Sequence, residues 1–111
     1  ARLGIAAQRR LGNTHLEVFE YEVPRSDPQE PDRGVHNFGY THFALQVDDV
    51  MAVHDRLVEA GIRMHAMPSL AGITIDDAGV KHGYAATYCR DPFGNVFEIM
   101  EIHDYEDMKS I

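Results

Sequence analysis

Tryptophan is absent from these 111 residues, cysteine occurs once, and cations are scarce. The single Cys89 excludes an internal disulfide and any cysteine-rich zinc site, which suits a reducing, cytoplasmic setting, and a small buried apolar residue is its simplest role. Apolar runs are only a few residues long, as in Phe43, Ala44 and Leu45, so no segment approaches the ~20 residues that a membrane helix needs. The 10 basic residues are outnumbered by 18 acidic ones, for a net charge of −8, and form no stripe. A phosphate backbone would be repelled, so nucleic acid is a poor partner and a small-molecule substrate a better one. Residues 1–11 hold three arginines without a continuous apolar stretch, so they do not read as a signal peptide, and the first residue is not methionine.

What remains is ordinary globular material, with 44% hydrophobic and 25% charged residues. The opening segment and Thr14–Val23 read as a hairpin around Leu11-Gly12-Asn13, the second strand being rich in β-branched and aromatic side chains. Residues 24–39 hold three prolines and two glycines and read as a linker with no need of catalytic residues. From 40 to 103 the patterning is sharper. Thr41–Val47 alternates as a strand, and Asp48 and Asp49 are candidate N-caps for a helix traced by Val50, Val53, Leu57 and Ala60 and ended by Gly61. Strands are expected over Ile62–Met67, Ile73–Ile75, Gly83–Arg90 and Val96–Ile102, with a tight turn at Asp91-Pro92-Phe93-Gly94-Asn95. The acidic tail from 104 to 111 reads as a short or frayed helix. One helix against six strands, the short Ile73–Ile75 aside, leaves the opening hairpin uncovered, so a preceding strand and helix, or another subunit, is expected to cover it.

Three polar residues fall on strand faces opposite the helix-facing apolar set: Glu17, His42 and Glu98. A lone strand histidine or glutamate is ordinarily hydrogen-bonded or half-exposed. Glu98 stands out because Val96 and Met100 share its face while Phe97 and Ile99 flank it, and a carboxylate in such company needs a partner or a cation. Glu101, near the strand end on the opposite face, is expected to be solvated. Should Glu17, His42 and Glu98 converge, one imidazole and two carboxylates would suit Zn, Ni, Co, Mn or Fe(II). The other histidines, His15, His36, His54, His65, His82 and His103, are accounted for by solvent exposure or local hydrogen bonding.

The segments "YTHFALQVDDVMAVHDRLVEAGI" and "YCRDPFGNVFEIMEI" together resemble the second module of the vicinal oxygen chelate superfamily, which includes glyoxalase I, extradiol dioxygenases and bleomycin-resistance proteins. "GNTHLEVFEY" resembles the closing strand of a first such module. The resemblance implies an α+β fold of paired βαβββ modules, forming a curved mixed sheet around a cavity, with the first module incomplete over 1–23. It implies one divalent metal ion held by His42 and Glu98, with Glu17 as a further ligand, and Glu17 or Glu98 as catalytic base. Tyr84, Tyr88 and Arg90 are candidate substrate-cavity residues. A glyoxalase-like isomerase or lyase, working through an enolate-like intermediate, is the first reading. An extradiol dioxygenase using Fe(II) is the second, and a metal-free drug- or metabolite-binding module the third. A homodimer is expected. Phe93 departs from the family, in which an acidic residue is common at that point of the turn.

Overall fold

The structure, a computed structural model, describes residues 2–11 and 14–103. It contains seven strands and one helix in the order β1 (Arg2–Leu11), β2 (Thr14–Val23), β3 (His42–Gln46), α1 (Val50–Glu59), β4 (Arg63–Met64), β5 (Ile73–Ile75), β6 (Lys81–Arg90) and β7 (Val96–His103). A single 3-10 turn, Leu70–Gly72, precedes β5. The fold is α+β, an open mixed sheet with one helix. The expected tail helix at 104–111 and the turn residues Gly12 and Asn13 lie outside the described residues.

The strands form two sheets. β1 and β2 pair antiparallel by themselves, with Gln8 opposite Glu17 and Leu11 opposite Thr14. The other five form one sheet in the order β3-β7-β6-β4, with β5 also paired to β6. Within it β3 runs parallel to β7, and β7, β4 and β5 are each antiparallel to β6. The parallel pair is possible because α1 and the strands after it carry the chain back across the sheet.

Helix α1 starts where Asp49 accepts a hydrogen bond from the Ala52 N–H at 2.9 Å, as the sequence leads one to expect. It stops at Gly61, whose φ of +85° lies where a glycine has no Cβ penalty. There Gly61 N–H donates to Val58 O and Ile62 N–H to Leu57 O, the paired bonds of a Schellman motif. Its inner stripe, Val50, Val53 and Leu57, packs with Ala85 and Ile99 of the sheet, and Met64, Ile73 and Phe97 close the cluster. His54 lies on the same side of the helix, buried, with Nδ1 3.0 Å from Asp55 Oδ1.

Two expectations are corrected. The strand expected over Ile62–Met67 is only Arg63–Met64, because the ladder stops as soon as the Ala66 carbonyl accepts from the Thr87 hydroxyl at 2.6 Å. Glu101, expected in solvent, is buried at 3% exposure. On its strand it follows Phe97 and Ile99 to the helix side, directly under the start of α1, where the otherwise unbonded Val50 N–H donates to its Oε2 at 3.0 Å. Its Oε1 accepts from Lys81 Nζ at 3.3 Å and stands 2.7 Å from His103 Nε2. Burial opposes ionisation of this carboxyl, but the bonds from His103, Val50 and Lys81 outweigh it and hold its pKa below the ordinary glutamate value.

Candidate metal-binding face

The sheet face turned away from α1 is set by register. His42 is level with Val96 and Ala44 with Glu98 in the parallel pair, while Tyr88 is level with Glu98 and Arg90 with Val96 in the antiparallel pair. Side chains level with one another, or two apart on one strand, share a face. His42, Glu98, Tyr84, Tyr88 and Arg90 therefore all project to one side, opposite Phe97, Ile99 and the helix.

On that face His42 Nε2 lies 3.5 Å from Glu98 Oε2. Glu98 is buried at 6% exposure, and its other oxygen accepts the Tyr84 hydroxyl proton at 3.1 Å. His42 is oriented from behind by Thr41, whose Oγ1 is 3.0 Å from Nδ1. When Nδ1–H donates to that hydroxyl, the Nε2 lone pair faces Glu98. The ring of Tyr88 meets His42 edge-on, with centroids 5.0 Å apart and planes at 87°. Two ligands bonded at ~2.1 Å to a tetrahedral ion would be roughly 3.4 Å apart, so the observed imidazole–carboxylate separation fits a shared divalent cation. The donor set is also chemically suited, one nitrogen and carboxylate oxygen.

Glu17 does not join this pair. It lies on β2, in the separate two-stranded sheet. Among the described residues, no group of three or more His, Cys, Asp and Glu side chains is arranged to hold a metal ion. The chain on its own thus brings together two of the three expected ligands.

Arg90 proves to be a fastener. Its buried guanidinium donates to the carbonyl oxygens of Pro31 (3.2 Å), Arg33 (3.0 Å) and Gly94 (3.0 Å), and Nε donates to His65 Nε2 at 3.1 Å. These bonds tie the segment after β2 to the sheet. The same segment is held by Gln29 Nε2, which donates to Phe93 O (2.8 Å) and Asn95 Oδ1 (2.7 Å). Gly94 has φ +87°, and a Cβ there would come within 2.9 Å of the Pro31 Cα, so glycine is needed both for the turn and for this close approach.

Between the fastened segment and the start of β3 lies a cleft of about 200 Å³, bordered by Gln29, Arg33, Tyr40, His42, Phe43 and Arg90; of the candidate cavity residues Arg90 lines it, whereas Tyr84 and Tyr88 do not. It reaches His42 at the edge strand β3. The sequence marks neither Thr41 nor His65 as a site residue, and His65 is, as expected, exposed and hydrogen-bonded locally. Thr41 adjoins a candidate ligand and could have been found from that alone, but His65 is brought to the face only by the β4–β6 register.

Among solved structures, a glyoxalase family protein from Bacillus cereus superposes with a TM-score of 0.61 at 18% identity, over 81% of this chain and 54% of that one. SMU.1112c superposes with a TM-score of 0.56 at 24% identity, over 86% and 68% of the two chains. A virulence protein from Salmonella typhimurium does so with a TM-score of 0.50 at 19% identity, over 87% and 70%. This chain thus spans about half the length of the Bacillus cereus protein. No curated protein matches it. At such identities the superpositions bear on the fold. The family model of the Glyoxalase/Bleomycin resistance protein/Dioxygenase superfamily, however, matches residues 3–99, a span that takes in the hairpin, α1 and both His42 and Glu98. With a sheet of the same kind and a match over most of its length, the chain belongs to the Glyoxalase/Bleomycin resistance protein/Dioxygenase superfamily.

Proposed function

We propose that this chain is a metal-dependent enzyme of the glyoxalase type, an isomerase or lyase acting on a small substrate with neighbouring oxygens. The observation that carries the reading is the 3.5 Å approach of His42 Nε2 to Glu98 Oε2 on the open face of the sheet. His42 and Glu98 would hold one divalent ion, and Glu17, from the hairpin of a second copy, would add a carboxylate. Bound there, the ion supplies Lewis acidity towards a substrate carbonyl or enolate oxygen.

The chain's own groups account for the rest. Thr41 orients the His42 imidazole. Tyr84 donates to Glu98 Oε1, which leaves Oε2 as the oxygen on the His42 side. Were its Oε2 free of the ion, a carboxylate so placed could take a proton from a carbon next to a substrate carbonyl and return it to the neighbouring carbon, which is isomerase chemistry. Glu17 is the other candidate for that base. The Tyr88 ring, edge-on to His42, flanks the pair and would border a bound substrate.

Elemental analysis of the purified protein is expected to find one divalent metal per His42–Glu98 pair. His42→Ala and Glu98→Ala should each lose it while retaining the wild-type far-ultraviolet circular dichroism. Unchanged metal content in both variants would refute the assignment. Hemithioacetal turnover that depends on metal would support the isomerase or lyase reading, whereas oxygen uptake with catechols in the Fe(II) form would replace it with the dioxygenase.

A further inference from the structure

One more imidazole stands on the face of His42 and Glu98. His65 N–H donates to the Tyr88 carbonyl at 2.8 Å, continuing the ladder in which Met64 is level with Cys89. Since Tyr88 is itself level with Glu98, the three residues Glu98, Tyr88 and His65 form one row across three neighbouring chain segments. The rings of His65 and Tyr88 are 6.4 Å apart between centroids. Two strand spacings separate the backbones of His65 and Glu98, about 10 Å.

The proton on His65 is fixed by chemistry. Arg90 Nε can only donate, and it meets His65 Nε2 at 3.1 Å, so Nε2 carries the lone pair and the ring hydrogen is on Nδ1. Among the described residues nothing accepts from Nδ1, and His65 is exposed. Partial desolvation of the ring on the side packed against Arg90, and then the charges of Arg90 and Arg63, push its pKa down from the usual histidine value, which favours the neutral donor. Arg90 lies behind it and Arg63 beside it, the latter paired to Asp32 at 2.9 Å. In a chain with a net charge of −8 this corner of the sheet is locally cationic.

We propose that His65 is a specificity residue whose Nδ1–H, aimed by Arg90, binds an anionic oxygen at the far end of a substrate whose near end sits at His42 and Glu98. The substrate class is then a small oxyacid with a second negatively charged group, most simply a carboxylate, several bonds from its chelating oxygens. The inference rests on the metal-centre reading above for the near end, while the far end rests on the Arg90–His65 geometry.

The test is calorimetric titration of the full chain, with and without zinc, using 2-oxoglutarate and 2-oxobutyrate, which share a head group and differ in the distal carboxylate. The wild type is expected to bind 2-oxoglutarate about tenfold more tightly than 2-oxobutyrate, the worth of one charge-assisted hydrogen bond. His65→Ala should abolish that preference without altering 2-oxobutyrate affinity. His65→Glu keeps an acceptor for Arg90 but replaces the donor by a negative charge, so it should reverse the preference. If His65 served only to hold Arg90, the Glu variant would behave as wild type and the proposal would fall. It would equally fall if both probes bound wild type alike, if neither bound, or if the Ala variant kept the preference. Zinc making no difference to 2-oxobutyrate would sink the metal-centre reading instead, leaving the distal preference to be judged by the two variants.

Discussion

Glu101 is the residue whose environment departs furthest from what its type suggests. It is a glutamate under the start of a helix, where the positive end of the helix dipole and an orphan N–H favour a carboxylate. Glu101→Ala would leave the Val50 N–H and Lys81 without their acceptor and is expected to destabilise the fold by about 2–3 kcal/mol, read from urea unfolding. A loss below about 0.5 kcal/mol would mean that water replaces the carboxylate at no cost. Because its folded pKa is depressed, the stability it contributes is complete above the ordinary glutamate range and is lost as pH falls through the folded value. Wild type should therefore lose more stability on acidification than Glu101→Gln does. Cys89 is the opposite case, a residue of reactive type made inert: burial pushes its thiol up to about 11. Thiol reagents at neutral pH should label it slowly in the native protein and promptly in denaturant, and equal rates would contradict the burial.

At the scale of elements, the turn between β6 and β7 is organised from within by the Asp91 side chain. Asp91 Oδ1 accepts from the Phe93 and Asn95 N–H groups at 2.9 Å each, and Oδ2 from Asn95 Nδ2 at 2.8 Å. Asp91→Ala should cost about 1–2 kcal/mol in thermal unfolding, and also loosen the segment that Gln29 ties to Asn95. This turn, the Asp49 cap and the Gly61 stop were all legible in the sequence, since each is local chemistry written within a few residues. His42 and Glu98 were legible as candidates because alternation gives the face of a strand. What could not be read was register. Nothing near Glu101 in sequence reveals the helix end above it, and the place of His65 beside Tyr88 exists only through pairing, although its exposure and local hydrogen bond are as expected. Arg90, a candidate cavity residue, does border the cleft beside His42, and register adds what its strand position does not reveal, that its donors are committed to backbone acceptors from the segment after β2 and the turn after β6.

Over the whole molecule the shape is extended, with a Cα radius of gyration of 16.7 Å and axes of 58 × 29 × 28 Å. A compact domain of about 100 residues has a radius of gyration of ~13 Å. On one face of β2, Phe19 47%, Tyr21 44% and Val23 51% are exposed, an apolar strip of the kind that marks an interface, with Val18 exposed on the other face. The homodimer proposed above would cover it and bring Glu17 to a partner's His42 and Glu98. Sedimentation velocity should give a dimer for wild type and a monomer for Val18→Asp with Phe19→Asp, with metal lost in step. A monomeric wild type that retained its metal would sever the link between hairpin and site.

The His42–Glu98 pair itself bridges β3 and β7, the first and last strands of the five-stranded sheet in chain order but neighbours in space. A cation gripped there would act as a clasp between the two ends of the folding unit, present only once the final strand has docked. Ion affinity and resistance to unfolding would then rise and fall together, so chelation alone should make β7 exchange its amide hydrogens faster.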